Sequence, residues 1–223
     1  MSAPLVWKTH PWHGVAIGSA APAVVTAYVE IVPSDAVKYE MDKTTGHLRV
    51  DRPQKFSSVC PTLYGFIPQT LSGERAAELS RRRTGREGLS GDDDPLDICV
   101  FSEKSFSHGD FLLEARPIGG LRVIDQGQAD DKIVAVLAGD ITFGEIDDVA
   151  GLPRPLLDRL EHYFLTYKLS PGSPADKQEI EIAQIFGRDE AHEVIRLSQA
   201  DYQAGFAELR RDLLDALRDT FGP

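Results

Sequence analysis

Hydrophobic and polar positions change rhythm along this chain. Between residues 23 and 141 apolar residues come in short runs, several alternating with polar ones at the two-residue period of a strand. The pattern predicts strands over Val24–Val32, Val37–Met41, His47–Val50, Ile98–Phe101, Phe111–Ala115, Gly120–Ile124 and Ile133–Leu137, with Thr44-Thr45-Gly46 as the turn between the second and third. From Pro153 to Lys168 the period lengthens, and Leu156, Leu157, Leu160, Tyr163, Phe164 and Tyr167 share one helical face. A second helix is predicted near the C-terminus. There Ser198 with Asp201 has the form of a capping box, and Tyr202, Phe206, Leu209, Leu213, Leu217 and Phe221 form a core-facing stripe ended by Gly222. Residues 71–91 break the series. They are rich in Glu and Arg, carry Arg81-Arg82-Arg83, and are punctuated by Gly73, Gly85, Gly88 and Gly91, so they predict an exposed, mobile insertion. Strands early and helices late predict one α+β domain over residues 1–223, with a mainly β core and an N-terminal arm at residues 1–22.

Composition adds limits. A chain of 223 residues with 42% hydrophobic positions can bury a sizeable core without disulfides or a structural metal. Its 24 Lys+Arg against 35 Asp+Glu give a net charge of −11, which repels nucleic-acid phosphates and anionic lipid. Neither nucleic acid nor a membrane is therefore expected as a partner. Cys60 and Cys99 have no Cys-x-x-Cys spacing, so reduced thiols in a cytoplasmic protein are the expectation. The uncharged stretch Gly14–Val29 lacks the basic start and continuous apolar centre of a signal peptide and is too short to span a bilayer.

The acid is not evenly spread. Gly91-Asp92-Asp93-Asp94-Pro95-Leu96-Asp97 holds four aspartates in six positions, in a loop that enters the strand Ile98–Phe101. Like charges this close need solvent or a cation, and carboxylate oxygens suit a hard divalent ion better than Zn²⁺. Taken alone, the loop reads as a solvated acidic turn. An EF-hand is disfavoured, because Asp97 stands where its sharp turn needs Gly. A second group decides the matter. Asp125, Asp130 and Asp131, with Lys132, lie between two predicted strands around Gly127 and can emerge beside the first group. Glu30, Lys38 and Glu40 come from neighbouring strands, with Lys38 and Glu40 on one face, while Arg52 (beside Asp51) and the pair Tyr167-Lys168 supply further donors. The seven aspartates of the two groups carry seven of the eleven excess negative charges. Carboxylates for metal ions plus a few Lys, Arg and Tyr donors suit a compact polyanion and phosphoryl transfer, which asks mainly for positioning and electrostatics.

In these residues the chain resembles the family I soluble inorganic pyrophosphatases. The resemblance rests on Asp92-Asp93-Asp94-Pro95-Leu96-Asp97, Lys38-Tyr39-Glu40, Asp51-Arg52, Tyr64-Gly65-Phe66-Ile67-Pro68-Gln69-Thr70, Arg116-Pro117-Ile118-Gly119, Asp125 with Asp130 and Lys132, and Tyr167-Lys168, in order over residues 24–170. It implies Mg²⁺-dependent hydrolysis of pyrophosphate to two orthophosphates (with Mn²⁺ as a substitute ion) on a small closed OB-like β-barrel with packed helices, assembled as a homo-oligomer. It further implies Asp92, Asp97 and Asp130 as ligands of the tightest ion, Asp97 bridging to a second, and Asp125 with Asp130 on ions that arrive with substrate. Glu30 and Glu40 would support these directly or through water. Asp94 would be the general base, Lys38, Arg52, Tyr167 and Lys168 would grip phosphate, Lys132 would offset negative charge, and Tyr64 would orient the site. The chain departs from the common bacterial pattern at Cys60, where Tyr is usual, at Leu63, where Asn is usual, and in the insertion 71–91.

Other features have plainer readings. Cys60 is expected to be a buried, inert thiol. His10 and His13, beside Trp7 and Trp12, are expected to dock the N-terminal arm rather than hold a metal. Arg81–Arg83 reads as solvated loop. No Walker loop, Gly-x-Ser-x-Gly elbow or dinucleotide glycine pattern is present. A catalytically silent divalent-cation- or phosphate-binding protein on the same scaffold is the alternative, but such a relative would be free to lose Asp94 or Asp97, and both are present. A hydrolase of polyphosphate or nucleotides is weaker still, as no aromatic shelf for a base is evident.

Overall fold

The computed structural model describes residues 8–169 and 180–206. Among these, ten strands and three α-helices are named in chain order. Five strands close a ring: β1 (Val25–Ile31) pairs with β4 (Leu63–Phe66), β4 with β6 (Asp97–Phe101), β6 with β9 (Lys132–Leu137), β9 with β7 (Phe111–Asp125), and β7 returns to β1. This is a closed OB-like barrel, in which closure removes the free edges that an open sheet would expose. β6–β9 is its one parallel pairing; the other four are antiparallel.

Alternation explains how the strands are buried. In β6 and β9, Ile98, Val100, Ile133 and Ala135 join one apolar cluster, and Cys99, Phe101, Val134 and Val136 join another. The first cluster meets Val194 and Ile195 of α3 (Arg188–Gly205) and Leu79 of α1 (Glu74–Thr84). The second meets Leu157, Leu160 and Phe164 of α2 (Arg154–Thr166). Strands buried on both faces read as nearly continuous apolar runs, as Ile98–Phe101 and Ile133–Val136 do. Outside the ring, β2 (Val37–Met41) and β3 (Leu48–Pro53) form a hairpin, β10 (Ile180–Gly187) pairs with the second half of β7, and β5 (Ser90–Gly91) and β8 (Gln128–Ala129) form a short pair. Cys60 and Cys99 are both buried and free, and burial pushes the Cys60 thiol up to about 11, which leaves it inert at neutral pH.

Several sequence expectations change. Phe111–Ala115 and Gly120–Ile124 are one continuous strand, carried past Pro117 by a register shift opposite β9. Leu63–Phe66 and Ile180–Gly187 are additional strands. Residues 71–91, expected as an exposed, mobile insertion, contain α1, which buries Ala76, Ala77, Leu79 and Ser80. Its apolar side is small residues around one leucine, too weak a stripe to stand out among Arg and Glu, and Gly85 is its left-handed C-cap (φ 68°) rather than a loop marker. Arg81 is not simply solvated: it pairs with Glu74 and Glu78 and donates to the Leu89 carbonyl.

The expected capping box at Ser198 and Asp201 is also corrected. α3 starts at Arg188, so both residues lie inside it. Asp201 caps a different helix, its Oδ2 accepting the N–H groups of Arg75 (2.9 Å) and Ala76 (3.1 Å) in the first turn of α1, while Oδ1 pairs with Arg75 Nη1 at 2.9 Å. Residues Leu209, Leu213, Leu217, Phe221 and Gly222 of the expected stripe, like Trp7, lie outside the described residues. Asp201→Ala should lower stability by about 1–2 kcal/mol, the cost of a lost cap, seen as a lower thermal midpoint. Ser198 Oγ is buried with no hydrogen-bond partner among the described residues. Ser198→Ala should therefore leave the midpoint unchanged or raise it, whereas a capping box would require a loss.

Candidate active site

The acidic groups meet at one end of the barrel because strand starts and ends coincide there. Asp97 opens β6 and Lys132 opens β9, and the two are register partners across the parallel pair. Asp125 closes β7. Gln126 (φ 52°) and Gly127 (φ 83°) then make a two-residue turn, with both central residues at positive φ, that returns the chain to Gln128 and on to Asp130. In the acidic loop Asp93 takes φ 58°, and Asp92 Oδ1 accepts the Asp94 N–H at 3.0 Å, a local turn that sets Asp92 and Asp94 on the cavity. Lys38 and Arg52 are register partners in the β2–β3 hairpin.

A cavity of about 220 Å³ collects every residue the sequence nominated: Glu30, Lys38, Glu40, Arg52, Tyr64, Asp92, Asp94, Asp97, Asp125, Asp130, Lys132, Tyr167 and Lys168. Gln128, Tyr163 and Phe164 complete the wall. Sequence reasoning missed these three as site residues. On the sequence Tyr163 and Phe164 belong to a helix face, and their place one turn before Tyr167-Lys168 is the signal that points to the site. Two members of the aspartate groups do not line the cavity, Asp93 and Asp131. Asp131 turns away to pair with the fully buried Arg122 at 3.0 Å.

Lys132 is the hinge of the electrostatics. Its Nζ lies 2.5 Å from Asp97 Oδ2 and 2.8 Å from Asp130 Oδ1, and 5.1 Å from the Phe164 ring centre. Burial alone would lower its pKa, but Asp130 and Asp97 outweigh burial and hold it well above the usual lysine value. Tyr64 donates its hydroxyl to the same Asp97 oxygen at 2.5 Å. Lys38 lies 3.1 Å from Asp51 and 3.5 Å from Glu40, and Lys168 pairs with Asp125 Oδ2. Arg52 Nη1 lies 2.5 Å from Asp51, its guanidinium carbon 5.6 Å from the Tyr167 ring centre, and its Nη2 is buried with no partner among the described residues.

The donors fit a divalent cation in kind. Seven carboxylates face four cationic side chains in this cavity. Asp125 Oδ1 is buried with no hydrogen-bond partner among the described residues. Burial raises the pKa of Asp92, with Asp130 and Asp97 adding repulsion, and burial raises that of Asp130 against the pull of Lys132. Burial pushes Glu30 up to about 8, although the Met41 N–H donates to it at 2.6 Å. All of these ask for positive charge, and every candidate ligand is a hard oxygen. Among the described residues no three carboxylate, imidazole or thiolate groups are already gathered about one point that could hold an ion. The chain's own ammonium groups supply the counter-charge instead, Lys132 between Asp97 and Asp130 and Lys168 on Asp125.

The raised Glu30 pKa makes stability pH-dependent with a definite sign. A carboxyl whose folded pKa exceeds its unfolded value adds stability that is complete below about 4.5 and lost as pH rises through about 8. In EDTA the thermal midpoint should therefore fall from about pH 5 to about pH 8.5, and Glu30→Gln should flatten that slope. A divalent cation bound only by the folded state should restore the midpoint most at the alkaline end.

Comparison with known proteins gives the family. A family model described as inorganic pyrophosphatase matches residues 27–203. The inorganic pyrophosphatase of Chlamydia caviae is 52% identical over 198 residues, 86% of this chain and 90% of that protein. The soluble inorganic pyrophosphatase of Oryza sativa subsp. indica is 36% identical over 202 residues, 91% of this chain and 83% of that one. Among solved structures, the inorganic pyrophosphatase from Thermus thermophilus superposes with a TM-score of 0.71 at 28% identity, over 88% of this chain and 99% of that one. The chain belongs to the inorganic pyrophosphatase family.

Proposed function

We propose that this protein hydrolyses inorganic pyrophosphate to two orthophosphates, with Mg²⁺ as its working ion and Mn²⁺ able to substitute. The observation that carries the reading is one cavity in which seven carboxylates stand beside Lys38, Arg52, Lys132 and Lys168. Ions bound there would neutralise phosphate charge and make water nucleophilic near neutral pH. Asp92, Asp97 and Asp130 would hold the tightest ion, with Asp97 shared with a second. Asp125, together with Asp130, would hold ions that accompany substrate, and Glu30 and Glu40 would support them directly or through water.

The chain's own groups do the rest. Lys38, Arg52, Lys168 and the Tyr167 hydroxyl bind phosphate oxygens, and the unpartnered Nη2 of Arg52 is a donor ready for one. Asp94 accepts the proton of the attacking water as its oxygen bonds to one phosphorus. The bridging P–O bond then breaks and its electron pair leaves on the second phosphate. Lys132 stays protonated and offsets Asp97 and Asp130, and the Tyr64 hydroxyl fixes the Asp97 carboxylate in place. Among the described residues no helix is long and apolar enough to cross a membrane. We extend the proposal to a cytoplasmic location and to a homo-oligomer, and light scattering of the purified protein tests the second.

Phosphate release from pyrophosphate tests the activity. The wild type should turn over with Mg²⁺, stop in EDTA, and far outpace Asp97→Ala; a wild type no faster than that variant would remove the enzyme reading. Asp94→Asn should lose about 100-fold or more in rate, within the range of general-base catalysis, with Mg²⁺ affinity nearly unchanged. A metal titration showing the reverse would make Asp94 a ligand and not the base.

A further inference from the structure

One cation at the edge of the site has no place in the scheme above. Lys43 lies in the turn between β2 and β3 and lines a small cleft of about 40 Å³ together with Glu30, Glu40, Asp94 and Asp97. Its Nζ is ion-paired with Asp94 Oδ1. That oxygen is covered and has no hydrogen bond from any other described group, although the Asp94 side chain as a whole is 41% exposed and that of Lys43 51%. The Asp94 main chain is held separately, its N–H on Asp92 Oδ1 at 3.0 Å and its carbonyl accepting the Ser72 N–H at 2.8 Å. Backbone contacts thus fix where Asp94 stands, and Lys43 fixes which way its carboxylate faces.

The turn is built to hold Lys43 there. The Asp42 carboxylate accepts the N–H groups of Thr44 (3.2 Å) and Thr45 (2.8 Å) and the Thr45 hydroxyl (2.8 Å), and the Gly46 N–H donates to the Asp42 carbonyl at 2.8 Å. The N-terminal arm then clamps the turn. His10 Nδ1 accepts the N–H groups of Trp12 (3.2 Å) and His13 (3.4 Å), so the ring hydrogen belongs on Nε2, which donates to the Lys43 carbonyl at 3.3 Å. Gly46 packs so close to the His10 ring that a Cβ would lie 2.9 Å from it. The arm is itself anchored on residues 69–70. Trp12 Nε1 donates to the Thr70 carbonyl at 2.7 Å and the Gln69 N–H to the Trp12 carbonyl at 2.9 Å. Thr70 Oγ1 accepts the Leu96 N–H at 2.9 Å, and Ser72 holds Asp94. The Lys43 turn and the Asp94 loop are therefore registered on the same short segment.

We infer that Lys43 is a positioning residue for Asp94, kept on target by the docked N-terminal arm. The inference rests on Asp94 being the base proposed above. Without Lys43, Oδ1 loses its one ion-pair partner and the half-exposed carboxylate can swing from the line of attack, a displacement of a kind that costs up to about 100-fold in rate.

The test compares Lys43→Met, Lys43→Arg, Asp94→Asn and the double variant Lys43→Met/Asp94→Asn, each with its thermal midpoint to confirm folding. Lys43→Met should lower kcat about 10- to 100-fold, with KM and the calorimetric Mg²⁺ affinity within about twofold of wild type. Lys43→Arg should recover most of the rate, and Lys43→Met should cost nothing further once Asp94 is Asn. His10→Ala should lower kcat in the same sense by a smaller factor. A slow Asp94→Asn beside an unimpaired Lys43→Met would overturn the inference and leave the base standing. So would a raised KM at unchanged kcat, which would place Lys43 on substrate, or losses that multiply in the double variant. An Asp94→Asn enzyme at full rate would overturn the base, and the inference with it.

Discussion

The site depends on one buried ammonium. Lys132 lies between Asp97 and Asp130 with almost no exposure to water, and its charge is what lets two carboxylates sit side by side at one end of a β-barrel. Removing a partner from such a cluster leaves an uncompensated buried charge, a loss of about 3–5 kcal/mol in comparable cases. The parallel register of β6 and β9 sets Lys132 opposite Asp97, and Tyr64 from β4 seals the same oxygen. The barrel's geometry and the site's electrostatics are thus a single arrangement. Strand pairing fixes the spacing of the charges, and the charges tolerate that spacing only with cations in place.

Outward from Lys132, the excess of acid meets a graded supply of positive charge. Lys168 answers Asp125, Lys38 and Arg52 share Asp51, and Lys43 reaches Asp94 from outside the main cavity. Asp131 is served on the opposite side by Arg122, which also pairs with Glu190 of α3 at 2.7 Å. That second buried pair ties the segment carrying Asp130 to a helix far along the chain. Adjacent residues on one strand entry, Asp130 and Asp131, face opposite sides, one toward chemistry and one toward packing.

The sequence revealed the site more fully than the frame around it. Asp92, Asp97, Asp125 and Asp130 stand out together, because two acidic groups at strand ends recur beside Lys, Arg and Tyr donors, whereas either loop alone passes for a solvated turn. The strands with two buried faces were legible as apolar runs. What was hidden depends on partners far away in sequence. Leu63–Phe66 is four residues including a glycine and becomes a strand only between β1 and β6. α1 has a small-residue face that means nothing until α3 covers it. Ser198 and Asp201 have the spacing of a local cap, yet Asp201 serves a helix more than a hundred residues earlier. Arg122 sat unnoticed in a run read as an apolar strand, because a fully buried arginine is intelligible only once Asp131 and Glu190 are seen beside it. Lys43 was an ordinary turn residue until the arm and the acidic loop proved to share an anchor.

The acid and its cations at this barrel mouth leave a cavity suited to divalent ions and a small polyanion. The most direct measurement is anomalous diffraction from crystals of the full chain equilibrated with Mn²⁺. The strongest anomalous peak should lie within coordination distance of Asp92, Asp97 and Asp130, about 2.0–2.3 Å for hard oxygen ligands. An absence of ordered Mn²⁺ in this cavity, or ions bound only at surface carboxylates elsewhere, would contradict it.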